Sequence, residues 1–146
     1  MASELKLDVV EMNKNNIKLL HIPAKDAKTY NIRNDFDRAF HFIDECLRTK
    51  GKIIINCARG ISRSATIVIG YLMFRYNMRL TDAFNYTLSK RPQVRPNSNF
   101  RRQLEIYEQE LIYNRYKISI RAKTLGFATP IPAAPKSATN NPTYRF

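Results

Sequence analysis

One short stretch, Ile53–Ser64, constrains this chain more than any other segment. It joins an apolar β-branched run to a single cysteine, a turn that contains a glycine, and the start of an apolar helical segment, in the order IIINCARGISRS. A strand that ends in a tight loop at the start of a helix directs backbone N–H groups, and the positive end of the helix dipole, towards one point. The stretch therefore predicts an anion-binding loop between a buried strand and a buried helix.

The residue types within this loop indicate a specific chemistry. A cysteine at a helix N-terminus ionises below its free pKa of about 8.5, so Cys57 is a candidate nucleophile. The planar guanidinium of Arg63 can bind two oxygens of a phosphate at once. Gly60 lets the backbone turn through a conformation that a Cβ would obstruct. The loop thus predicts phosphoryl transfer through a cysteinyl phosphate.

The pattern Cys57-x-x-Gly60-x-x-Arg63-Ser64 resembles the signature of cysteine-dependent protein tyrosine phosphatases. The residues that follow it, through Gly70-Tyr-Leu-Met, resemble the dual-specificity branch of that superfamily. Three flanking segments extend the resemblance: HIPAKD from His21, FHFID from Phe40, and RPQVRPNSNF from Arg91. The similarity covers residues 17–111, which is most of the chain.

The resemblance implies a single α/β domain with a short, mostly parallel central sheet flanked by helices. The apolar runs Ile17–Ile22 and Ile53–Ile55 are the predicted strands. The family normally begins with another strand and helix ahead of the segment that resembles Leu5–Ile22, and we expect this chain to lack them. An uncovered sheet edge promotes association, so a homodimer that covers this edge is one expected arrangement.

The resemblance also assigns roles to residues outside the nucleophile. Asp26, on the polar loop after the first predicted strand, is the expected general acid that protonates the leaving oxygen. Ser64 is expected to steady the departing thiolate, with a hydroxyl that satisfies a free helical N–H as the structural alternative. Asn97 is expected to brace the loop, with a helix cap as an equal alternative. Asp35 and Asp37 are expected in the first turn of a helix, where carboxylates suit the dipole.

The phosphate-binding loop itself is expected to consist of the residues between the cysteine and the arginine: Ala58, Arg59, Gly60, Ile61 and Ser62. The family usually has a histidine immediately before the cysteine, and here the loop support at that position is Asn56. Asparagine forms hydrogen bonds but carries no charge. We expect this difference to affect the ionisation of Cys57 and the rate rather than the mechanism.

Apolar residues at helical spacing predict a helix from Asn34 with Gly51 as the stop, and a last amphipathic helix after Asn97, marked by Phe100, Leu104, Tyr107 and Leu111. A segment that is apolar nearly all round predicts a buried helix from about Ser62 to Tyr76. Thr81 is the expected cap of a shorter helix through Leu88, which Pro92 ends. Prolines, small residues and asparagines dominate from residue 122 onwards. We therefore expect a catalytic domain over residues 1–121 and a basic, flexible, proline-containing tail over residues 122–146.

Length and composition indicate one intracellular domain. A chain of 146 residues can bury one core, and it has no apolar run near the roughly 18 residues that span a bilayer. The N-terminus lacks the pattern of a signal peptide. Two cysteines without C-x-x-C spacing favour a reducing compartment, the cytoplasm or the nucleus. His21 and His41 lack metal-like spacing, so we expect no metal site and no cofactor.

Charge leaves the substrate class open. The net charge is +13, and six of the 25 basic residues follow Ile112, where no acidic residue occurs. This end is either a disordered segment that increases solubility or a segment that attracts RNA, anionic lipid or acidic phosphoprotein. The favoured function is hydrolysis of phosphotyrosine and phosphoserine or phosphothreonine in a protein substrate. The alternatives are an RNA 5′-triphosphatase or phosphoinositide phosphatase, and a pseudophosphatase that binds phosphorylated ligands without turnover.

Overall fold

A computed structural model describes residue 15 and residues 17–125 of the chain. This part contains four α-helices, preceded by a short 3-10 helix at Ile32–Asp35. In chain order they are α1 (Phe36–Arg48), α2 (Arg63–Tyr76), α3 (Leu80–Lys90) and α4 (Ser98–Thr124). The four predicted helices are confirmed and their starts agree to within a few residues, whereas α4 continues 13 residues beyond Leu111, the last residue that marked it in the sequence.

Helix α2 is the centre of the domain, and the other three helices pack against it. Most of its residues are buried, from Arg63 at the first turn to Met73 near the end. A helix that is apolar nearly all round is stable only when it is surrounded by protein. Because the predicted anion-binding loop leads directly into this helix, the loop is attached to a largely buried element at the centre of the domain.

The predicted central sheet is wrong: no strand is assigned among the described residues. The runs Ile17–Ile22 and Ile53–Ile55 lie in extended segments without forming a ladder. They instead line an open groove of about 660 Å³ above α1, and the side chain of Ile54 is 89% exposed. A β-branched run favours extended backbone, but a strand also needs a hydrogen-bonded neighbour about 4.8 Å away.

The end of α1 differs by one residue from its prediction. The left-handed position after the helix is occupied by Lys50, with φ of 56°, rather than by Gly51. The N–H groups of Lys50 and Gly51 donate to the carbonyls of Leu47 and Cys46, at 3.0 and 2.9 Å. This pair of bonds is the Schellman arrangement that terminates many helices. It sets the direction of the chain as it enters the extended segment before Cys57.

Helix α4 extends well past the core. Its first half buries Phe100, Leu104 and Tyr107, whereas Tyr116 and Ile118 are more than 60% exposed. The tail predicted from residue 122 thus begins within α4, and residues 126–146 lie outside the described part. None of the helices described here is both long enough and apolar enough to cross a bilayer.

Close packing of α1 on α2 depends on one glycine. A Cβ built on Gly70 would lie 3.0 Å from two ring carbons of Phe36 and 3.2 Å from the ring of Phe40. The Phe36 ring also stacks on Phe40 and meets Tyr107 edge-on, with centroids 5.1 Å apart in each pair. These rings fill the space between three helices, and Gly70 is the position that leaves room for them.

Substituting Gly70→Val should lower the free energy of unfolding by about 1–3 kcal/mol, the usual cost of inserting methyl groups into a packed core. Urea denaturation followed by circular dichroism measures this change. Phe36→Leu in the same chain frees part of the space, so the double variant should lose less than the sum of the single losses. Strictly additive losses would contradict the contact between these two residues.

Candidate active site

The loop between the second extended segment and α2 adopts a tight turn. Cys57 begins it and is only 8% exposed, although the flanking Asn56 and Ala58 are exposed. Gly60 has φ of 63°, in the left-handed region that favours glycine. The chain then enters α2 at Arg63, so the loop lies at the N-terminus of a buried helix, where an anion is stabilised.

Hydrogen bonds to Cys57 hold the pKa of its thiol below the value that burial alone would give. Burial acts to raise the pKa of Cys57, since it penalises the charged form. Hydrogen bonds from the Ser64 hydroxyl and from the backbone N–H groups of Ser64, Gly60 and Arg59 outweigh burial, and they lower this pKa to about 7. The sulfur and the Ser64 hydroxyl oxygen are 3.2 Å apart. A substantial thiolate fraction therefore exists at neutral pH.

Arg63 is buried at the base of the loop, with only 4% of its surface exposed. Its Nη1 donates to the carbonyl of Ala24 at 3.0 Å. This bond attaches the first turn of α2 to the segment that carries Asp26. A buried guanidinium at this position adds positive charge to the loop and draws the two parts of the site together.

Asp26 lies beside the loop, 31 residues from Cys57 in the chain. Its Oδ1 accepts one hydrogen bond from the Ser62 hydroxyl and another from Nδ2 of Asn97, each 2.8 Å long. The carboxylates of Asp35 and Asp37 lie elsewhere. Asp35 accepts from the Tyr30 hydroxyl at 2.9 Å, and Asp37 pairs with Arg33 in the first turn of α1.

The side chain of Asn97 caps a helix and also contacts the loop region, the two roles that its sequence position left open. Its Oδ1 caps α4 by accepting the N–H of Phe100 at 2.9 Å, and its Nδ2 donates to Asp26. Its backbone N–H also donates to the hydroxyl oxygen of Ser62 at 3.1 Å. The start of α4, the loop and the Asp26 segment are therefore joined through one side chain.

Two further loop residues differ in their surroundings. The carbonyl of Ile61 accepts the N–H of Arg95 at 2.9 Å, whereas Arg59 is exposed. Asn56 lies at the edge of the groove between the extended segments and is itself exposed.

Arg91 is the residue of this region that the sequence analysis did not single out. Its Nε donates to the carbonyl of Gly60 at 2.9 Å, and its Nη2 lies 3.4 Å from the carbonyl of Arg59. In the sequence it is the first residue of the segment RPQVRPNSNF, which resembles the family. Gly60 and Arg91 are 31 positions apart in the sequence, and no local signal indicates that the two meet, because that contact depends on how α3 packs.

Together these residues form a site suited to an anionic ester. A partly ionised thiol lies against a loop of N–H groups, at a helix N-terminus, above a buried arginine. A carboxylate is hydrogen-bonded to the same loop through Ser62. This arrangement can hold a tetrahedral anion, present a nucleophile to it, and transfer a proton nearby.

Comparison with known proteins gives the same family at both the sequence and the structural level. The family profile described as dual specificity phosphatase, catalytic domain, matches residues 2–110. Human dual specificity protein phosphatase 5 is 45% identical over 92 residues, which are 62% of this chain and 24% of that protein. The chain thus spans about a quarter of the length of this relative.

Two solved structures are similar in fold. The human tyrosine phosphatase-like serine/threonine/tyrosine-interacting protein has a TM-score of 0.61 at 33% identity, over 70% of this chain and 73% of the other. The Yvh1 phosphatase domain from Chaetomium thermophilum has a TM-score of 0.65 at 27% identity, over 73% and 74% of the two chains. The profile match covers well over half of the sequence, and on that basis the chain belongs to the dual specificity phosphatase family.

Proposed function

We propose that this protein hydrolyses phosphotyrosine and phosphoserine or phosphothreonine in protein substrates, through a cysteinyl-phosphate intermediate. The observation that carries the proposal is that one loop holds both reacting groups. Cys57 contacts Ser64 at 3.2 Å, and Asp26 accepts the Ser62 hydroxyl at 2.8 Å. Family membership supports the same activity.

In the first step the Cys57 thiolate attacks phosphorus, and the bond between phosphorus and the ester oxygen breaks. The N–H groups of the loop (Ala58, Arg59, Gly60, Ile61 and Ser62) and the guanidinium of Arg63 bind the non-bridging oxygens, which gain charge in the transition state. Asp26 donates a proton to the leaving oxygen. Since both of its hydrogen bonds fall on Oδ1, we assign the transferred proton to Oδ2.

In the second step a water molecule attacks phosphorus and the bond between phosphorus and sulfur breaks. The Asp26 carboxylate takes the proton from water, so the acid of the first step is restored. The Cys57 thiolate leaves, and the Ser64 hydroxyl steadies its charge by donating a hydrogen bond over the 3.2 Å between the two atoms. Asn97 and Asn56 support the loop in both steps.

We also propose domain limits, a role for the basic tail and a cellular compartment. We place the catalytic domain at residues 1–121 and a basic tail at residues 122–146, which carries part of the net charge of +13. Such a tail attracts acidic partners, whether protein, RNA or anionic lipid. A thiolate nucleophile suits a reducing compartment such as the cytoplasm or the nucleus.

A second candidate function is capture of phosphorylated ligands without turnover. Two observations favour it: the similarity to a protein described as tyrosine phosphatase-like, and an asparagine where the family usually has a histidine. Release of inorganic phosphate from phosphotyrosine and phosphothreonine peptides, phosphoinositides and triphosphorylated RNA separates the candidates. Release from the peptides alone supports the protein phosphatase. Binding without release from any substrate supports the second candidate.

Cys57→Ser should abolish hydrolysis of an aryl phosphate and leave binding of a phosphate analogue largely intact, since a serine hydroxyl at neutral pH is a far weaker nucleophile than this thiolate. Arg63→Lys should also be severe, because an ammonium cannot reproduce the bidentate fork. Cys46→Ser, in the partly buried second cysteine, is the matched control and should retain activity. Turnover by Cys57→Ser would exclude a cysteinyl phosphate.

Asp26→Asn should slow hydrolysis of phosphotyrosine about 10²–10⁴-fold, the usual contribution of general acid catalysis. An activated aryl phosphate, whose leaving group needs no proton, should lose much less. Asp37→Asn, at an exposed carboxylate outside the site, should leave both rates unchanged. Equal losses on the two substrates would mean that Asp26 shapes the loop through Ser62 and Asn97 and is not the proton donor.

The acidic limb of kcat/KM should follow ionisation of Cys57, with activity rising as pH increases through about 7. Asn56→His should move this limb to lower pH by less than about 1, because a neighbouring imidazolium favours the thiolate only while the imidazole is protonated. Stopped-flow rates between pH 5 and 8 measure the shift. If the natural chain is inert and Asn56→His restores turnover, the ligand-binding candidate is correct.

A further inference from the structure

We propose that Arg91 is a positioning residue that keeps the N–H groups of the loop directed at the nucleophile by holding the loop carbonyls outward. Part of this inference rests on the proposed function, since the loop is taken to bind phosphate. Arg91 itself contacts no reacting atom. It acts from the outer side of the loop, at the end of α3.

The contact between Arg91 and the loop is close. Nε donates to the carbonyl of Gly60 at 2.9 Å, and Nη2 lies 3.4 Å from the carbonyl of Arg59. A Cβ built on Gly60 would lie 2.9 Å from Nη2 and 3.3 Å from the central guanidinium carbon. The guanidinium therefore lies flat against the turn, where only a glycine leaves space for it.

The geometry of the peptide bond connects these carbonyls to Cys57. In a trans peptide the C=O and the following N–H point in opposite directions. The carbonyl of Arg59 shares a peptide unit with the N–H of Gly60, which donates to the Cys57 sulfur. When Arg91 holds that carbonyl outward, the N–H of the same unit is directed inward. The carbonyl of Gly60 relates in the same way to the N–H of Ile61.

Arg91 is itself fixed by the backbone at the end of α3. Its N–H donates to the carbonyl of Thr87 at 2.9 Å, and its own carbonyl accepts the N–H of Val94 at 3.1 Å. The turn then returns to the loop, where Arg95 donates its N–H to Ile61 at 2.9 Å. The side chain of Arg91 and the backbone N–H of Arg95 thus bind three consecutive loop carbonyls, those of Arg59, Gly60 and Ile61.

Two substitutions separate positioning from charge. Arg91→Gln removes the charge and the fork, and Arg91→Lys keeps the charge but loses the planar fork. Lys90→Gln is the matched control: it removes one positive charge at the adjacent position, where the ammonium faces the ring of Tyr86. The other charged side chains of the site, Arg63 and Asp26, are unchanged in all three variants.

The first measurement is the pH dependence of iodoacetamide alkylation. It is followed by mass spectrometry on the peptide that contains Cys57, because Cys46 is also a free cysteine. Both Arg91 variants should raise the apparent pKa of Cys57 by about 0.5–1, the effect of weakening one hydrogen bond to a charged acceptor. Lys90→Gln should match the natural chain. Unchanged circular dichroism verifies that the variants are folded.

Two results would overturn the inference. An unchanged pKa of Cys57 in both Arg91 variants would mean that the loop keeps its shape without this residue. A shift in Arg91→Gln that is absent in Arg91→Lys would assign the effect to charge. The alkylation needs no turnover, so it decides on Arg91 even if the chain proves inert on every phosphoester. In an active enzyme, kcat/KM at pH 6 should also fall about three- to tenfold in both variants.

Discussion

The site depends on one set of hydrogen bonds: donors outside the loop bind the carbonyls of peptide units whose N–H groups face the opposite side. The bonds from Arg91 lie at an exposed surface where water also donates, so they act by fixing the orientation of these peptide units. Here Arg91 binds the carbonyls of Arg59 and Gly60, and the N–H of Arg95 binds that of Ile61. The carbonyl of Ser62 accepts both the N–H and the hydroxyl of Thr66, at 2.9 and 2.8 Å. The loop is therefore held from outside by α3 and from within by α2.

A second set of polar contacts brings the proposed general acid beside the loop that carries the proposed nucleophile. Ser62 and Asn97 both donate to Asp26, while Arg63 donates to the backbone two residues earlier, at Ala24. The three segments involved are separated by dozens of residues in the chain, and these hydrogen bonds join them. Asn97 also caps α4, so the helix that closes the domain and the carboxylate that faces the loop share one side chain. Asn97 therefore contributes both to the stability of α4 and to the position of the Asp26 carboxylate.

Sequence patterns predicted the helices well and the extended segments poorly. A helix closes its hydrogen bonds within itself, so a local pattern is sufficient to locate its start: apolar residues nearly all round in α2, and on one face in α4. A strand takes its hydrogen bonds from another segment, and the β-branched run at Ile53–Ile55 predicts only an extended backbone. The described residues contain these extended segments without a ladder, and the predicted sheet was wrong for that reason. The left-handed Lys50 in place of Gly51 is a smaller error of a different, local origin, since two backbone bonds at the end of α1 place the left-handed residue one position earlier.

The sequence by itself determined the local chemistry of the loop. A cysteine, a turn-forming glycine and an arginine at the start of a buried helix lie within seven residues. Residues so close in the chain remain close together in any fold. Their order already placed Cys57 where N–H groups and the helix dipole favour a thiolate. Only the tertiary structure decided which distant groups complete the site. The meeting of Asp26 with Ser62, the double role of Asn97, and the contact of Arg91 with Gly60 each join segments 31 or more residues apart. Such contacts follow from helix packing, which no short pattern encodes.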